Sequence, residues 1–288
     1  MWSNSAAVIE HVKNAFAAVE AGTSKLDEAV LKMNGITGRK TRMLYNNLAN
    51  TVGPTVVLDV GAGNGSSTAA FINNNENVNV CVLDDWSLHG NFGEFSENVK
   101  SSNVTNIVTS PETVDVSVLP KVNIMLYDSF YENGATERMI KKLSSVLTDV
   151  CVLIVDDWNW PIIQQQTRDA MVQITHDIIY EKTVTTDYDT EAATSYWNGI
   201  GVFVLLKNGV KADAPVPAPT PVEVVAPVEA APVEAVPVEA VPAEAPAPVE
   251  AVPVEAVPVE AVPVEAVPAE APAPVEAPAV EAPAEIPA

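Results

Sequence analysis

The strongest constraint on the fold is the stretch VVLDVGAGNGSSTAAF, residues 56–71, in which an apolar, β-branched run leads directly into glycines. Gly61, Gly63 and Gly65 stand at alternate positions. Glycine has no Cβ, so such positions permit unusual backbone angles and let a ligand approach the main chain. In an open parallel sheet, ligands bind beyond the carboxyl ends of the strands, near the turn from the first strand into its helix. The stretch therefore predicts a buried strand, a ligand-contacting turn and a helix.

The surrounding sequence alternates between helix and strand patterns. Helices are predicted over 5–20, 24–33 and 38–50, the first from the helical spacing of Val8, Val12, Phe16 and Val19. Apolar runs predict strands at 55–60, 78–84, 105–109, 122–128 and 150–156. Near-continuous apolar strands are typical of a parallel sheet covered on both faces. The segments 177–187 and 197–207 are predicted to pair antiparallel. The fold class is thus α/β, a Rossmann-like doubly wound sheet that is mostly parallel with an antiparallel C-terminal strand.

Proline, glutamate, alanine and valine dominate the end of the chain. From residue 213 onward lie 19 of the 23 prolines and 14 of the 38 acidic residues, with no basic, aromatic or glycine residue. Proline at nearly every fifth position excludes helix and sheet interiors, and the apolar side chains are too small to offset the entropy of chain ordering. We expect three parts: an N-terminal helical extension at 1–35, a Rossmann-like domain at 36–208, and a disordered acidic tail of PVEAV repeats at 209–288 that tethers or spaces the domain.

The charge balance bears on possible partners. The chain has a net charge of −23, and the part before residue 213 holds 24 acidic against 15 basic residues. An acidic surface repels phosphate backbones, so we expect no nucleic acid partner. The only basic cluster is GRKTR at 38–42, which is short.

The N-terminus and the cysteines bear on the compartment. The first twenty residues are interrupted by Glu10, His11 and Lys13 and lack the apolar core of a signal peptide. No apolar run reaches membrane-spanning length, so we expect no membrane partner. Cys81 and Cys151 lie in separate apolar runs and are expected to act as small buried hydrophobes. Together these features predict a cytoplasmic protein.

The residues after the glycine turn indicate the kind of cofactor. The dinucleotide fingerprint G-x-G-x-x-G would require glycine where Ser66 stands. Asp84 ends the second strand nineteen residues after Gly65, where a carboxylate can accept hydrogen bonds from both ribose hydroxyls. The alternative is that Asp84 or Asp85 caps a following turn or helix. The combination favours a nucleoside-containing cofactor.

These motifs resemble those of class I S-adenosylmethionine-dependent methyltransferases, in particular a bacterial and viral subfamily of small-molecule-type domains. The resemblance spans roughly residues 35–207 and is carried by GITGRKTRMLYNNLA, LDVGAGNGSST, VLDDWS, LYDS, VDDWNWP and YWNGIGVFVLLK. It implies a methyltransferase domain with seven strands, the last antiparallel, and S-adenosyl-L-methionine as cofactor. In such enzymes the counterparts of Asp59 and the glycine loop lie along the methionine part, and the counterpart of Asp84, beside Asp85, holds the ribose. Ser110 or Glu112 would lie near the adenine.

Three carboxylates are predicted to meet at the same edge of the sheet. Asp128 follows the fourth predicted strand, and Asp156 with Asp157 ends the fifth. Close carboxylates either raise one another's pKa, which yields a general base, or bind a hard cation such as Mg²⁺. The pattern resembles catechol-type O-methyltransferases, but the lysine base of those enzymes has no counterpart in DSFYENG, where Tyr131 or Glu132 stands. The alternative is that the pair at 156–157 caps the next helix and bonds loop amides.

Two loops follow these strand ends. The aromatic residues of DDWNWP and SYWNG either wall an acceptor pocket or pack as core and rim. His89 lies in a loop that either covers the cofactor or simply faces solvent.

Two functions are consistent with these residues. The first is methyl transfer from S-adenosyl-L-methionine to a hydroxyl of a small molecule or sugar. The second is a catalytically silent binding or structural module that carries the acidic tail. An open cavity between the glycine loop and Asp128 would favour the enzyme, and a filled one would favour the silent module.

Overall fold

The computed structural model describes residues 2–101, 103–129, 132, 134–187 and 195–213. Its sheet has seven strands. In chain order they are β1 (Thr55–Val60), β2 (Val78–Asp84), β3 (Val104–Val108), β4 (Val122–Tyr127), β5 (Leu147–Asp156), β6 (His176–Val184) and β7 (Ile200–Lys207). They lie side by side in the order β3-β2-β1-β4-β5-β7-β6. The first five pair in parallel, and β7 runs antiparallel to both β5 and β6. The predicted fold class is confirmed, with the antiparallel strand one position inside the edge strand β6.

Seven helices connect or cover the described strands. They are α1 (Ser5–Glu20), α2 (Glu28–Leu31), α3 (Arg39–Ala49), α4 (Ser66–Ile72), α5 (Phe92–Asn98), α6 (Ala135–Leu143) and α7 (Pro161–Met171). The helix predicted over 24–33 is wrong in length, since only α2 forms. The amide N–H groups of Lys25 and Asp27 donate instead to the side-chain oxygens of Asn46 and Asn73, at 2.9 and 2.8 Å. These contacts hold residues 25–27 outside the helix, which begins only at Glu28.

The centre of the sheet is buried on both faces, which explains why β1, β2, β4, β5 and β7 read as nearly unbroken apolar runs. The edge strands β3 and β6 are mostly half-buried or exposed and carry more polar residues. Alternate strand residues such as Val57 and Val152 pack with α1, α3 and α4, whereas Leu58 and Leu153 pack with α6 and α7. The predicted apolar face of α1 lies entirely in the first of these layers. The domain boundaries at residues 35 and 208 remain predictions. Among helices in the described ranges, none has the length and apolar character to span a bilayer.

Both cysteines are buried and unpaired, as expected. Burial raises the pKa of the Cys81 thiol to about 11 and raises that of Cys151 further. Both thiols therefore stay protonated at neutral pH.

The last described residue holds the start of α1. The Asp213 carboxylate accepts hydrogen bonds from the Ser5 backbone N–H at 2.7 Å and from the Ser5 hydroxyl at 3.2 Å. A carboxylate at a helix N-terminus satisfies an otherwise unpaired N–H and interacts favourably with the helix dipole. The repeats after it lie outside the described residues, so their disorder remains a prediction.

This contact predicts that the tail can be shortened only as far as Asp213. A chain that ends at Asp213 is expected to keep the full-length free energy of unfolding, because its cap on α1 is intact. Asp213→Ala is expected to lower that free energy by about 1 kcal/mol. Urea unfolding followed by tryptophan fluorescence measures both, and equal stability of Asp213→Ala and wild type would contradict the role of the cap.

Candidate functional site

The carboxyl ends of β1 and β4 meet at the first glycine of the turn. The Asp128 N–H donates to the Val60 carbonyl oxygen at 2.9 Å. Gly61 has φ +87°, and a Cβ placed on it would lie 1.8 Å from the Asp128 carbonyl oxygen. No other residue type fits such a contact. Gly61 is therefore required by the packing of the strand ends, whatever ligand binds there.

The other two glycines differ in what surrounds them. A Cβ on Gly65, which precedes α4, would lie 2.6 Å from Val99 Cγ2, so this glycine lets α4 pack closely beside α5. A Cβ on Gly63 would have only the His89 carbonyl oxygen nearby, at 3.9 Å. The space beside the Gly63 Cα is therefore open, although its N–H donates to Asp84 and its carbonyl oxygen accepts from the Trp86 indole N–H.

That open space is a cavity of about 310 Å³, here called the first cavity. Its walls are the glycine loop, the carboxylates of Asp84, Asp85 and Asp128, the loop around His89, and residues 34–37, here called the strap. The strap is held to the start of α4 by a hydrogen bond between the Thr37 and Ser66 hydroxyls at 2.8 Å. The volume of the first cavity is within the range of ligand sites, about 300 to 1,000 Å³. Of the described residues that line it, none is lysine or arginine.

The structure places both Asp84 and Asp85 at this cavity. Asp84 accepts hydrogen bonds from the N–H groups of Gly63 and Trp86 at 3.0 and 2.7 Å. Burial raises its pKa, and these two hydrogen bonds oppose the rise. Asp85 accepts from the Ser87 N–H at 2.9 Å. Both aspartates thus stabilise turns, as the alternative reading expected, and both also line the cavity.

Asp59 lies beneath the loop and does not line the cavity. Its Oδ2 accepts from the hydroxyls of Ser67 and Thr68 at 2.8 and 2.5 Å, while its Oδ1 is buried without a hydrogen-bond partner. Burial raises its pKa to about 6. In the described structure Asp59 fixes the first turn of α4, and its role toward a cofactor remains a prediction.

A second cavity of about 290 Å³ adjoins the first. The two share Ile36, His89, Asp128 and Trp197, and the second adds Asp156, Asp157, Trp160 and Asn198. The three predicted carboxylates therefore do come together, around one cavity. The aromatic residues divide between the two expected roles: Trp160 and Trp197 line the cavity, and Trp158 packs against Phe203 with ring centroids 5.3 Å apart.

The Asp156 carboxylate is almost fully buried and is held from both sides. Its Oδ2 accepts from the Tyr45 hydroxyl at 2.9 Å, and its Oδ1 accepts from the Asp157 N–H at 2.9 Å. Burial, with the Asp157 carboxylate beside it, raises the pKa of Asp156 to about 7. Sequence reasoning gave Tyr45 no role although it lies within GITGRKTRMLYNNLA, because it is 111 residues from Asp156 and no local pattern reports their contact.

Asp157 adopts an unusual backbone conformation with φ +56°. Its carboxylate accepts from the Asn198 side chain at 2.8 Å. Neither aspartate caps α7, whose N-cap residue is Trp160 and has no side-chain cap. Left-handed backbone at a non-glycine residue costs free energy and is frequent at functional sites. Trp86 and Trp197, at the same edge of the sheet, also have left-handed backbone.

The carboxylates do not form a metal centre. Within the described ranges no group of three His, Cys, Asp or Glu residues is placed to hold a metal ion. Each oxygen of Asp156 already accepts a hydrogen bond from a tyrosine hydroxyl or a backbone amide. The expectation of Mg²⁺ at this site is not supported.

The remaining sequence candidates lie outside the two cavities. Glu112 pairs with Arg138 at 2.9 Å, and Ser110 accepts from the Glu112 N–H at 3.3 Å. Only Pro111 of this segment lines the first cavity. Glu132 lines neither cavity, and Tyr131 lies outside the described residues.

No protein-family model matches the sequence, and no curated protein matches it. Solved structures similar to the chain include a precorrin-6y C5,15-methyltransferase from Geobacter metallireducens (16% identity over 59% of this chain and 88% of that chain, TM-score 0.42). A second is a putative O-methyltransferase from Nostoc punctiforme (15% identity over 69% of this chain and 69% of that chain, TM-score 0.43). A third is a putative RNA methyltransferase from Pyrococcus horikoshii (13% identity over 68% of this chain and 97% of that chain, TM-score 0.43). Each of these three structures is named as a methyltransferase. The sheet order described above, rather than these similarities, establishes the fold.

Burial of Asp59 predicts a specific pH dependence of stability. Its pKa is about 6 in the folded chain against 3.8 for an ordinary aspartate, so the folded state holds the proton more tightly. This contribution to stability is complete below the unfolded pKa and is lost as pH rises through the folded pKa.

Relative to Asp59→Asn, the wild-type free energy of unfolding is expected to fall by roughly 1 to 2 kcal/mol between about pH 5 and about pH 8. Urea titrations at the two pH values measure this difference. A gap between wild type and variant that stays constant with pH would show that Asp59 is not a titrating buried group.

Proposed function

We propose that this chain is an S-adenosyl-L-methionine-dependent methyltransferase. The observation that carries the proposal is an acidic cavity, without a cationic side chain among its described lining residues, at the strand ends where the sheet order reverses. A sulfonium is positively charged, and three nearby carboxylates favour it. The same carboxylates disfavour the pyrophosphate of a dinucleotide, which agrees with the loss of the dinucleotide fingerprint at Ser66.

The residues of the first cavity fit this cofactor. The space beside the Gly63 Cα is open, and Asp84 lies against the same loop, where the ribose of a nucleoside would sit. S-adenosyl-L-methionine would supply the methyl group: the acceptor oxygen would bond the methyl carbon as the carbon–sulfur bond breaks, S-adenosylhomocysteine would leave, and the hydroxyl proton would pass to a base. Asp128 lines both cavities and therefore stands where cofactor and acceptor would meet.

The space between the glycine loop and Asp128 also bears on the alternative of a silent module. A domain that had lost its ligand would be free to fill this space with side chains. This space is instead an open cavity of about 310 Å³, and both the glycine loop and Asp128 line it. This supports the enzyme over the silent module.

For the acceptor, we propose a hydroxyl of a small molecule or sugar. The second cavity has about 290 Å³, enough for a small ring system, and Trp160 and Trp197 provide aromatic walls for it. Asp156 has a pKa near 7, which suits a general base at neutral pH because it can hold the proton that the hydroxyl loses. Holding the acceptor oxygen in line with the methyl group supplies much of the remaining rate enhancement.

Calorimetric titration with S-adenosyl-L-methionine tests the cofactor. Wild type is expected to bind, and Asp84→Ala to bind about 10- to 100-fold more weakly, because charge-assisted hydrogen bonds to the ribose are lost. Asp149→Ala is a charge-matched control, since Asp149 is exposed and pairs only with Lys207 among the described residues. Equal affinity of Asp84→Ala and wild type would contradict the assignment of the cofactor site.

The pH dependence of turnover tests the base. With an acceptor found in a screen of phenols and sugars, kcat is expected to rise as pH increases through about 7, because only ionised Asp156 accepts a proton. Asp156→Asn is expected to lower kcat by about 10²- to 10⁴-fold and to abolish this step in the profile. Cofactor affinity measured in parallel should not change. A variant that keeps the wild-type profile would exclude Asp156 as the base.

A further inference from the structure

A third cavity, of about 470 Å³, lies on the other side of the strap. It shares Asn34, Gly35 and Thr37 of the strap with the first cavity. Its charge is the opposite of the first: it is lined by Lys32, Arg39 and Arg42 and, within the described part of the chain, by no carboxylate. Two of these cations belong to the GRKTR cluster, to which the proposed function assigns no role.

Arg42 is a buried cation without a bound anion. Only 4% of it is exposed. Its Nη1 donates to the carbonyl oxygens of Val30 and Leu31, each at 3.1 Å, and its Nε is buried without a hydrogen-bond partner. Burial lowers its pKa, which reflects the cost of a charge removed from water. The two Nη2 donors have no partner among the bonds described above, and a carboxylate or phosphate oxygen in the cavity would accept from them and offset that cost.

The other two cations are held only weakly. Lys32 and Arg39 both approach the Glu28 carboxylate, at 3.2 and 3.8 Å. The side chains of all three residues are between 41% and 76% exposed, and ion pairs this exposed contribute little. Lys32 and Arg39 can therefore turn to a ligand anion at small cost.

Trp197 connects this cavity to the site of the proposed reaction. It lines all three cavities, with φ +53°, and its carbonyl oxygen accepts a hydrogen bond from the Thr186 hydroxyl. A small molecule that lies along the indole can therefore present one end to Asp156 and the other to the cations.

We propose that the third cavity binds an anionic group, a carboxylate or phosphate ester, of the small-molecule acceptor. This inference rests on the proposed function. Arginine matches both anions through its planar fork of N–H donors. A polynucleotide fits less well, because the chain as a whole carries a net charge of −23. The amino-acid carboxylate of the cofactor is a second source of the same chemistry.

Calorimetry on the full chain at low ionic strength tests the anion site, with inorganic phosphate as the probe. The double variant Lys32→Gln/Arg39→Gln removes the two exposed cations, which spares the buried Arg42 and the fold. Lys13→Gln/Lys100→Gln is the matched control, since both lysines are exposed and each pairs with a glutamate three residues away. Phosphate binding is expected to weaken at least about 10-fold in the first variant and to stay at the wild-type level in the control. Affinity for S-adenosyl-L-methionine should be the same in all three proteins.

Three results would overturn the inference. Equal phosphate affinity in both double variants would exclude a site at these cations. A loss of S-adenosyl-L-methionine affinity with unchanged binding of 5′-methylthioadenosine, which lacks the amino-acid part, would assign them to the cofactor carboxylate. A single-stranded RNA 10-mer is the third probe. If it binds much more tightly than phosphate and loses binding in Lys32→Gln/Arg39→Gln, the cations belong to a nucleic acid site. Phosphate binding without any cofactor binding would instead support the anion site and contradict the proposed function.

Discussion

The close approach of Gly61 to the Asp128 carbonyl oxygen is the contact on which the site depends. It brings the ends of β1 and β4 together, and the Gly61 N–H donates to Leu83 of β2 at 3.1 Å. Three neighbouring strands therefore end at the same point, and the side chains that follow them, among them Asp84 and Asp128, face one space. A Cβ at Gly61 would force these ends apart and separate the groups that the proposed reaction brings together.

The strap divides charge between two neighbouring cavities. On one side Asp84, Asp85 and Asp128 create a negative environment, and on the other Arg42 and its neighbours create a positive one. Opposite charges kept apart in this way suit two different ligands, a cationic sulfonium and an anionic acceptor. Trp197 and the second cavity connect the two sides. These charges are the electrostatic basis of the two proposed ligands, a cationic cofactor and an acceptor with an anionic group.

The central strands were predictable because β1, β2, β4 and β5 are largely buried, so each is an apolar run between polar breaks, whereas the edge strand β3 is partly exposed and only partly apolar. The glycine turn and Asp84 were predictable because strand ends meet at one edge. The contact between Tyr45 and Asp156 depends on packing between segments 111 residues apart. No local pattern reports such packing. Of the two roles that spacing left open for the carboxylates, Mg²⁺ binding is not supported, because within the described residues no three acidic, histidine or cysteine side chains are placed to hold a metal ion. Spacing brings carboxylates to one edge but does not report their placement or their hydrogen bonds to Tyr45 and to backbone donors.

The most direct test of the account is a crystal structure of the chain with S-adenosylhomocysteine. The account predicts that the adenosine lies in the first cavity with its ribose hydroxyls on Asp84, and that the sulfur faces Asp128 and the opening to the second cavity. The contradicting result is a ligand bound elsewhere, or a first cavity that stays empty at saturating ligand while Asp84 bonds only the Gly63 and Trp86 amides as it does now.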